Sequence, residues 1–344
     1  MFDSYFLKIL IGTVILGFST GAVGVFPTQR KQALIGDALS HASLPGVVIA
    51  FMLFNTRDIG ILLLGATFAS VISMLLIELI KKYSNVKFDA SMALILSSFF
   101  GFGNVLLSLL TGSGKAGLSK FIFGEAATML EQDVFIISVA SVVAILLVII
   151  FWRHIKLFIF DEDFYNSLGF NTKIVRSLLT FLTVLVVVIS IRAIGVVLMS
   201  ALLIAPAVTA RIWSNRLSVN FILAGIFGAI SAAFGTYFSF KISGLPTGPI
   251  IVVVLSSILI LTLLLAPKKG IIASSILNKR HKVFINKYHE LVHFYEFGGF
   301  KDDSVISNYI NQGFIIESSD NNYYLTNKGE ELVFNIMRGR NLWD

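Results

Sequence analysis

The eleven residues Gly36-Asp37-Ala38-Leu39-Ser40-His41-Ala42-Ser43-Leu44-Pro45-Gly46 place a carboxylate and an imidazole inside an apolar run of membrane-spanning length. On a helix, side chains four residues apart share one face, so Asp37 and His41 are expected to be neighbours. Pro45 and Gly46 follow one turn later, where a helix is expected to bend or break. Ionisable groups at membrane depth are costly and normally face a bundle interior, a water-filled path or a partner charge. This stretch therefore predicts a functional site.

The chain as a whole has the composition of a membrane protein. Of its 344 residues, 56% are hydrophobic and only 14% are charged, and the mean hydropathy is +0.85. Soluble domains, by contrast, carry about 25% charged residues. The chain has no cysteine, which excludes disulfides, thiolate metal sites and iron–sulfur clusters. A metal would therefore meet oxygen, imidazole or thioether ligands.

Hydropathy predicts an all-α polytopic membrane fold with about nine transmembrane helices. The apolar runs approach the roughly 20 residues that a helix needs to cross the hydrocarbon core of a bilayer. A count of eight or ten helices also fits the sequence, because two short apolar runs meet near Arg192-Ala193-Ile194-Gly195 and could be one broken segment. The expected spans are 6–26, 33–54, 59–80, 90–110, 133–152, 175–192, 194–212, 219–240 and 247–266.

Basic residues predict the orientation of these spans. Clusters of them follow every odd-numbered span, so all five clusters fall on one side, which is then cytoplasmic. The amino terminus is expected outside and the carboxyl terminus inside. The net charge of +7 fits basic cytoplasmic loops rather than nucleic-acid binding. The clusters are Arg30 and Lys31; Lys81, Lys82 and Lys87; Arg153, His154 and Lys156; Arg211 and Arg216; and Lys268 and Lys269.

The cytoplasmic loop Phe160–Phe170 predicts a short surface helix. Acidic residues begin it, two apolar side chains four residues apart share one face, and a glycine is a natural stop. Two interpretations stay open: an amphipathic connector that lies on the membrane, and a docking helix for a cytoplasmic partner. The residues that carry this prediction are Asp161, Glu162, Phe164, Leu168 and Gly169.

An outer segment, Thr111–Asp133, contains Gly112-Ser113-Gly114-Lys115, which superficially resembles a phosphate-binding loop. The full pattern needs a glycine five residues before Gly114 and a serine or threonine after the lysine. Leu109 and Ala116 occupy those positions, and the segment is on the wrong side for nucleotide. The sequence therefore predicts no nucleotide-binding site in this chain.

The chain divides into a transmembrane domain, residues 1–270, and a polar cytoplasmic extension, residues 279–344. Helices near 282–296 and 302–312, two short strands and a helix at 327–338 predict a small α+β winged-helix-like domain. The extension has eight basic and nine acidic residues, a net charge of about −1, and lacks the basic face of a nucleic-acid binder. Its histidines, His281, His289 and His293, fit surface or core packing or a regulatory metal site.

Five stretches together resemble the permease subunits of the manganese/zinc/iron class of ABC transporters. The stretch Gly36–Gly46 and the segment Gly195–Arg211 are similar to two signatures of that family. Phe160–Gly169 resembles its coupling region, Leu245–Pro249 its last periplasmic turn, and Phe123–Ala127 also fits. The motifs occur in family order over about residues 5–270, and the carboxy-terminal extension lies outside them.

The resemblance implies an importer subunit in a bacterial plasma membrane, without a permanently bound cofactor and with a divalent metal ion as substrate. Two membrane subunits, identical or paralogous, would work with a cytoplasmic ATPase, and an extracytoplasmic metal-binding protein would deliver the ion. The loop Phe160–Phe170 would be the coupling helix that docks on the ATPase. Lipid is the expected surrounding, and nucleic acid is an unlikely partner.

The resemblance also implies roles for single residues. Asp37 and His41 are expected to bind the ion transiently or to gate its path, and in a two-fold dimer both copies could face the axis. The alternative is that the two side chains only pair within their helix and stabilise a kink before Pro45. Pro45 and Pro206 interrupt helices as transport paths often require, and Glu125 is a candidate gate at the outer side.

Three functions stay open from the sequence. The first is import of Mn²⁺, Zn²⁺ or Fe²⁺, and an Asp/His pair suits each of these ions. The second is import of metal chelates or cobalamin-like ligands, against which the charged pair argues. The third, from another class, is a membrane-anchored, metal-responsive regulator that acts through the extension.

Overall fold

The computed structural model of the chain describes residues 4–32, 34–56, 58–110, 126, 129–242, 245–266, 270–300, 303–318 and 323–340. The chain separates into two compact units, Met1–Gly270 and Ile271–Asp344. Each unit is described by itself below.

The first unit is a bundle of helices. Among the described residues, eight helices are long and apolar enough to cross a membrane, and a ninth, α9, is apolar but shorter. Two further short helices, α6 and α7, connect the fifth and sixth candidate spans. The helices are α1 Ser4–Gln29, α2 Ile35–Phe54, α3 Ile59–Tyr83, α4 Phe88–Leu109, α5 Glu131–Ile150, α6 Trp152–Phe160, α7 Glu162–Ser167, α8 Thr172–Ile194, α9 Val196–Trp213, α10 Leu217–Lys241 and α11 Thr247–Leu265.

The junction between α8 and α9 lies at Gly195, inside the stretch that the sequence left ambiguous. Gly195 has φ 95° and ψ 160°, a backbone conformation that only glycine adopts readily. The two helices therefore stay separate there. The carbonyl of Ile191 accepts a hydrogen bond from the Gly195 N–H at 2.8 Å and closes the end of α8.

Glycines allow the helix backbones of the bundle to approach closely. A Cβ added at Gly17 of α1 would lie 2.5 Å from the carbonyl oxygen of Gly228 in α10. Between α2 and α3, a Cβ at Gly46 would lie 2.0 Å from the carbonyl oxygen of Gly65. Such close crossings are the usual way in which helices pack in lipid, where no hydrophobic force holds them together. Gly46 thus fixes α2 against α3 just beyond the Asp37/His41 stretch.

Of the bend or break expected at Pro45, the break does not occur, because α2 is helical from Ile35 to Phe54 and contains Pro45 in its interior. Pro45 has no N–H to donate to the carbonyl of His41, one turn earlier. Gly103 of α4 accommodates the ring: a Cβ there would lie 3.0 Å from Pro45 Cδ and 2.9 Å from Leu44 Cγ. Packing between α2 and α4 thus stabilises a helix that its local sequence disfavours.

The second unit has its own hydrophobic core, in which Leu291, Tyr309, Phe314 and Val333 are buried. Thr326 begins the last helix by accepting a hydrogen bond from the Gly329 N–H at 3.1 Å. The elements follow in the predicted order of helices, two strands and a helix. They are α12 Ile271–Lys287, α13 His289–Phe297, a 3₁₀ turn Asp303–Val305, α14 Ile306–Asn311, β1 Ile315–Glu317, β2 Tyr323–Leu325 and α15 Asn327–Arg340.

The two strands pair antiparallel, with Ile316 opposite Tyr324. They are the only sheet in the described part of the unit, and each has three residues. This is less sheet than a winged helix normally has, so the winged-helix assignment stays a prediction. α12 begins at Ile271, in the interval that the sequence left between the two expected domains.

Candidate functional site

Asp37 and His41 lie on one face of α2, as their spacing predicts. The Oδ1 atom of Asp37 is 3.5 Å from the Nε2 atom of His41. The His41 side chain is 13% exposed and that of Asp37 36% exposed. The imidazole is thus almost enclosed, whereas the carboxylate keeps one open side from which a ligand can approach.

Two other helices border the pair. The hydroxyl of Ser200 in α9 reaches the Asp37 carboxylate. Gly36 allows this approach, since a Cβ there would lie 2.8 Å from Leu203 Cδ2 and 3.5 Å from Ser200 Cα. On the other side, the Phe100 ring of α4 meets the His41 ring edge to face at a centroid distance of 4.6 Å.

The hydroxyls next to the pair are occupied by the backbone. Ser40 donates to the Asp37 carbonyl at 3.0 Å, and Ser43 donates to the Ser40 carbonyl at 2.6 Å. Ser70 of α3 donates to the Leu39 carbonyl at 3.3 Å. These hydroxyl groups satisfy helix carbonyls, so Asp37 and His41 supply the charge and the imidazole of the site.

The separation of the pair is close to that of two ligands that share one metal ion. A cation about 2.1 Å from an oxygen and a nitrogen holds the two atoms roughly 3.0–3.4 Å apart, depending on the coordination angle. The observed distance of 3.5 Å is near this range. It is longer than the roughly 2.7–2.9 Å of a strong charge-assisted hydrogen bond. The separation therefore allows either a cation between the two groups or the internal Asp37–His41 pair.

One chain supplies too few ligands for a closed metal site. In the part of the chain that the structure describes, no group of three or more histidine, aspartate and glutamate side chains could hold a metal. The His41 Nδ1 atom is also buried and has no hydrogen-bond partner among the described residues. Histidines that hold a metal firmly usually donate their second N–H to an acceptor.

The other residues predicted for the path lie elsewhere. Pro45 is buried in α2 beside Gly103, one turn beyond His41. Pro206 does not interrupt α9 as expected, because α9 is helical from Val196 to Trp213. Its ring packs on α1, where a Cβ on Gly21 would lie 3.2 Å from Pro206 Cβ. Glu125 falls outside the described residues, and its role as an outer gate stays a prediction.

The loop Phe160–Phe170 contains a short helix, α7, whose ends are fixed by its own residues. The Asp161 carboxylate accepts a hydrogen bond from the Phe164 N–H at 2.8 Å and caps the amino end. Gly169 follows the helix with φ 83°, the left-handed conformation typical of a stop. Glu162 forms an ion pair with Arg176 of α8. The acidic residues predicted for docking therefore hold α7 in place.

The apolar residues of α7 divide between anchoring and exposure. Tyr165 is buried, meets the Phe158 ring of α6 edge to face, and its hydroxyl lies 3.2 Å from His154 Nδ1. Burial raises the pKa of the Tyr165 phenol above its usual value. Phe164 and Leu168 are each 50% exposed. Phe164 in α7 and Leu168 directly after it thus offer exposed apolar surface to a partner.

Two acidic residues of α5 form ion pairs with neighbouring helices. Arg192 near the end of α8 forms an ion pair with Asp133 of α5 at 3.3 Å, and Asp133 is only 5% exposed. Lys8 of α1 pairs with Glu131 at 2.7 Å. The ion pair with Asp133 therefore accounts for a charged side chain at the end of a membrane-length helix.

Two histidines of the second unit are engaged separately, and the side chain of His281 falls outside the described part of the chain. His293 Nδ1 lies 2.8 Å from the Gly299 carbonyl oxygen, and His289 Nδ1 lies 3.8 Å from a Glu290 carboxylate oxygen. These contacts favour a packing role over a shared metal site.

Three site residues were not predicted. Ser200 lies within the second motif, Gly195–Arg211, but its approach to Asp37 depends on how α9 packs on α2. No sequence pattern marks Phe100 as a site residue, because a phenylalanine in an apolar span does not differ from its apolar neighbours. In the sequence Arg30 indicates only the orientation of the first span. In the structure its guanidinium carbon lies 5.4 Å from the centroid of the Phe158 ring.

Comparisons with known proteins agree on one family. The profile described as the ABC 3 transport family matches residues 2–266. The chain is 43% identical over 276 residues to the zinc transport system membrane protein TroC of Treponema pallidum, covering 79% of this chain and 93% of that protein. It is 34% identical over 271 residues to the manganese transport system membrane protein MntC of Listeria monocytogenes, covering 79% and 94%.

A solved structure supports the same conclusion. The chain superimposes with a TM-score of 0.69 and 31% sequence identity on PsaBC from Streptococcus pneumoniae in complex with Fab, covering 78% of this chain and 94% of that chain. The matched part corresponds in extent to the first unit rather than to the extension.

Proposed function

Because the chain belongs to the ABC 3 transport family, we propose that Asp37 and His41 bind the transported ion in the path through its first unit. The chain is a membrane permease subunit of a metal importer, and the ATPase of such systems is a separate subunit. The divalent ion is the substrate. We propose no catalytic residue in this chain.

The observation that carries the proposal is the 3.5 Å separation of Asp37 Oδ1 and His41 Nε2. A carboxylate and an imidazole are ligands that Mn²⁺, Fe²⁺ and Zn²⁺ accept. Membrane-embedded charge is otherwise expensive, and this pair keeps an open side on Asp37. A metal ion can therefore enter between the two atoms with little side-chain movement.

A second membrane subunit would complete the coordination. Two ligands from one helix leave a divalent ion with most of its water shell, whereas two copies of α2 facing a two-fold axis would supply two carboxylates and two imidazoles. A homodimer or a heterodimer of paralogues meets this requirement. We therefore propose a dimer, because one chain supplies only two ligands for the ion.

The site is suited to release as well as to binding. When Nε2 of His41 holds a metal, the proton of the neutral ring is on Nδ1, which is buried without an acceptor in the described residues. An unsatisfied buried donor costs about 1–3 kcal/mol. Since conduction requires sites that bind weakly enough to let an ion leave, this missing hydrogen bond favours transit over storage.

We further propose that the amino terminus is outside the cell and the carboxyl terminus is cytoplasmic. The basic clusters share one side only if α9 crosses the membrane in addition to the eight longer helices. α9 has 18 residues, which give roughly 27 Å of helix, close to the thickness of the hydrocarbon core. Asp37 is the third residue of α2 and therefore lies on the cytoplasmic side of the path.

This orientation places α7 where a cytoplasmic ATPase can reach it. The exposed Phe164/Leu168 face is the docking surface in this proposal, and Asp161 and Glu162 position it through the cap and the Arg176 ion pair. A metal-binding protein on the outer side would deliver the ion to the opposite end. Glu125 remains a proposed gate there.

Two alternatives lead to different expectations. A path for metal chelates or cobalamin-like ligands would not require a carboxylate–imidazole pair at ion-ligand separation, so the geometry favours the free ion. A membrane-anchored regulator would depend on the second unit, whose near-neutral charge disfavours nucleic acid. Transport by a chain that lacks residues 271–344 would separate the regulator from the importer.

Radiometal uptake into proteoliposomes tests the proposal. The full chain, reconstituted with its ATPase and binding protein, is expected to take up free Mn²⁺, Zn²⁺ or Fe²⁺ in an ATP-dependent manner. The same ion presented as a stable organic chelate is expected to stay outside. Uptake of the intact chelate at a rate equal to that of the free ion would contradict the free-ion path.

A further inference from the structure

Arg30 lies where the connector between α1 and α2 meets the docking segment α6–α7. Its guanidinium carbon is 5.4 Å from the centroid of the Phe158 ring in α6, a cation–π distance. Glu162 of α7, Arg176 of α8 and Glu78 of α3 all act electrostatically on Arg30, and burial lowers its pKa. Four helices thus meet around one half-buried cation.

The same residues link the docking helix to the bundle. Glu162, the first residue of α7, forms its ion pair with Arg176, and both side chains are less than half exposed. Tyr165 fixes α7 to α6 through Phe158, the ring over which Arg30 lies. A displacement of α7 therefore acts on Arg30 through charge and through ring packing.

The described part of the connector directly after Arg30 is held by backbone hydrogen bonds. The Gln32 N–H donates to the Pro27 carbonyl at 2.9 Å, and the Lys31 N–H donates to the Thr28 carbonyl at 3.2 Å. This is the Schellman arrangement that ends helices, usually with glycine in the left-handed position. Lys31 occupies that position with φ 57°, at a conformational cost for a residue with a side chain. The turn is thus fixed by hydrogen bonds.

The connector also contacts α8 just before α2 begins. Gln32 and Ile35 line a small cavity together with Leu179 and Thr183 of α8. Ile35 is the first residue of α2, and Asp37 follows two residues later. Arg30 and the start of the metal pair are therefore joined by one short, hydrogen-bonded turn.

We infer that Arg30 is a positioning residue that transmits movement of the ATPase-docking helix to α2, and so changes the arrangement of Asp37 and His41. This inference rests on the proposed function, because it requires α7 to dock on the ATPase and the pair to bind the ion. Arg30 itself touches neither the metal nor the docking face Phe164/Leu168. Its removal should leave docking intact and separate ATP hydrolysis from transport.

The test compares Arg30→Ala with Arg216→Ala in the reconstituted complex. Arg216 is an exposed arginine at the start of α10 and lies outside the network. For Arg30→Ala we expect ATPase co-purification and basal hydrolysis like wild type, with metal transported per ATP hydrolysed reduced at least about fivefold, the lower end of typical coupling between sites. Arg216→Ala should transport normally. An unchanged ratio in Arg30→Ala would overturn the inference.

A double-mutant cycle shows whether Arg30 acts through α7. Because Glu162→Gln weakens the same network, combining it with Arg30→Ala should add little further loss. Fully additive losses would contradict transmission through the network. The Asp37→Ala variant, measured in parallel, separates the two proposals: normal uptake by that variant would refute the metal path, whereas normal coupling in Arg30→Ala would refute only this inference.

Discussion

Metal uptake should fall by roughly a hundredfold when Asp37 or His41 is replaced by alanine, because each change removes one of the two ligands that a chain offers to the ion. The loss is expected without loss of assembly, since the neighbouring Ser40, Ser43 and Ser70 keep their hydrogen bonds to backbone carbonyls. The loss is measured as radiometal uptake by proteoliposomes, normalised to the amount of assembled complex.

An isosteric variant separates binding from helix stabilisation. Asp37→Asn keeps the shape of the side chain and its ability to accept a hydrogen bond, but removes the negative charge that a divalent ion requires. If the pair only stabilised α2 before Pro45, this variant would transport almost normally, and such a result would count against the path. Asp89→Ala is the matched control, because Asp89 is an exposed aspartate in the first turn of α4. It should transport like wild type.

Replacing Phe164 and Leu168 together with aspartate should detach the ATPase. Both side chains are half exposed, one in α7 and one directly after it, and apolar anchors at the centre of an interface typically contribute about 2 kcal/mol or more each. Two charges on that face should weaken association by at least roughly a hundredfold. Co-purification of the ATPase with the permease, followed by titration of binding, measures the effect.

The control for this prediction places a charge elsewhere on the same helix. Asn166 is exposed on α7, and in a helix it lies about 200° around the axis from Phe164. Asn166→Asp should therefore leave association nearly unchanged. Wild-type association of the Phe164→Asp/Leu168→Asp variant would show that the ATPase docks on another surface.

Much of the fold was predictable because hydropathy is a local property. The expected spans 59–80 and 247–266 correspond to Ile59–Tyr83 and Thr247–Leu265. The docking helix was also predictable, since an acidic cap, two apolar residues four apart and a terminal glycine act over one short segment. The i,i+4 rule likewise placed Asp37 beside His41.

Features that depend on contacts between helices were not predictable. The continuity of α2 through Pro45 depends on Gly103 of α4, which lies 58 residues away in the sequence. The Ser200 contact with Asp37 depends on how α9 packs, and Gly36 permits it by having no side chain. The separate helix α6 was not anticipated either, because its apolar residues continue the pattern of α5.

The central claim is that the Asp37/His41 pair touches the ion during transport, and a change of metal preference tests it most directly. Because the chain has no cysteine, Asp37→Cys introduces a single thiol, and thiolate favours softer ions such as Cd²⁺ over Mn²⁺. Ser40→Cys, on the same turn but bonded to backbone, is the control. The measurement is the ratio of Cd²⁺ to Mn²⁺ uptake.

We expect this ratio to rise at least about tenfold in Asp37→Cys, equivalent to about 1.4 kcal/mol of altered preference, and to stay at the wild-type value in Ser40→Cys. A purely structural role for Asp37 would lower the uptake of both ions equally. An unchanged ratio in an assembled, ATP-hydrolysing complex that contains Asp37→Cys would contradict the account.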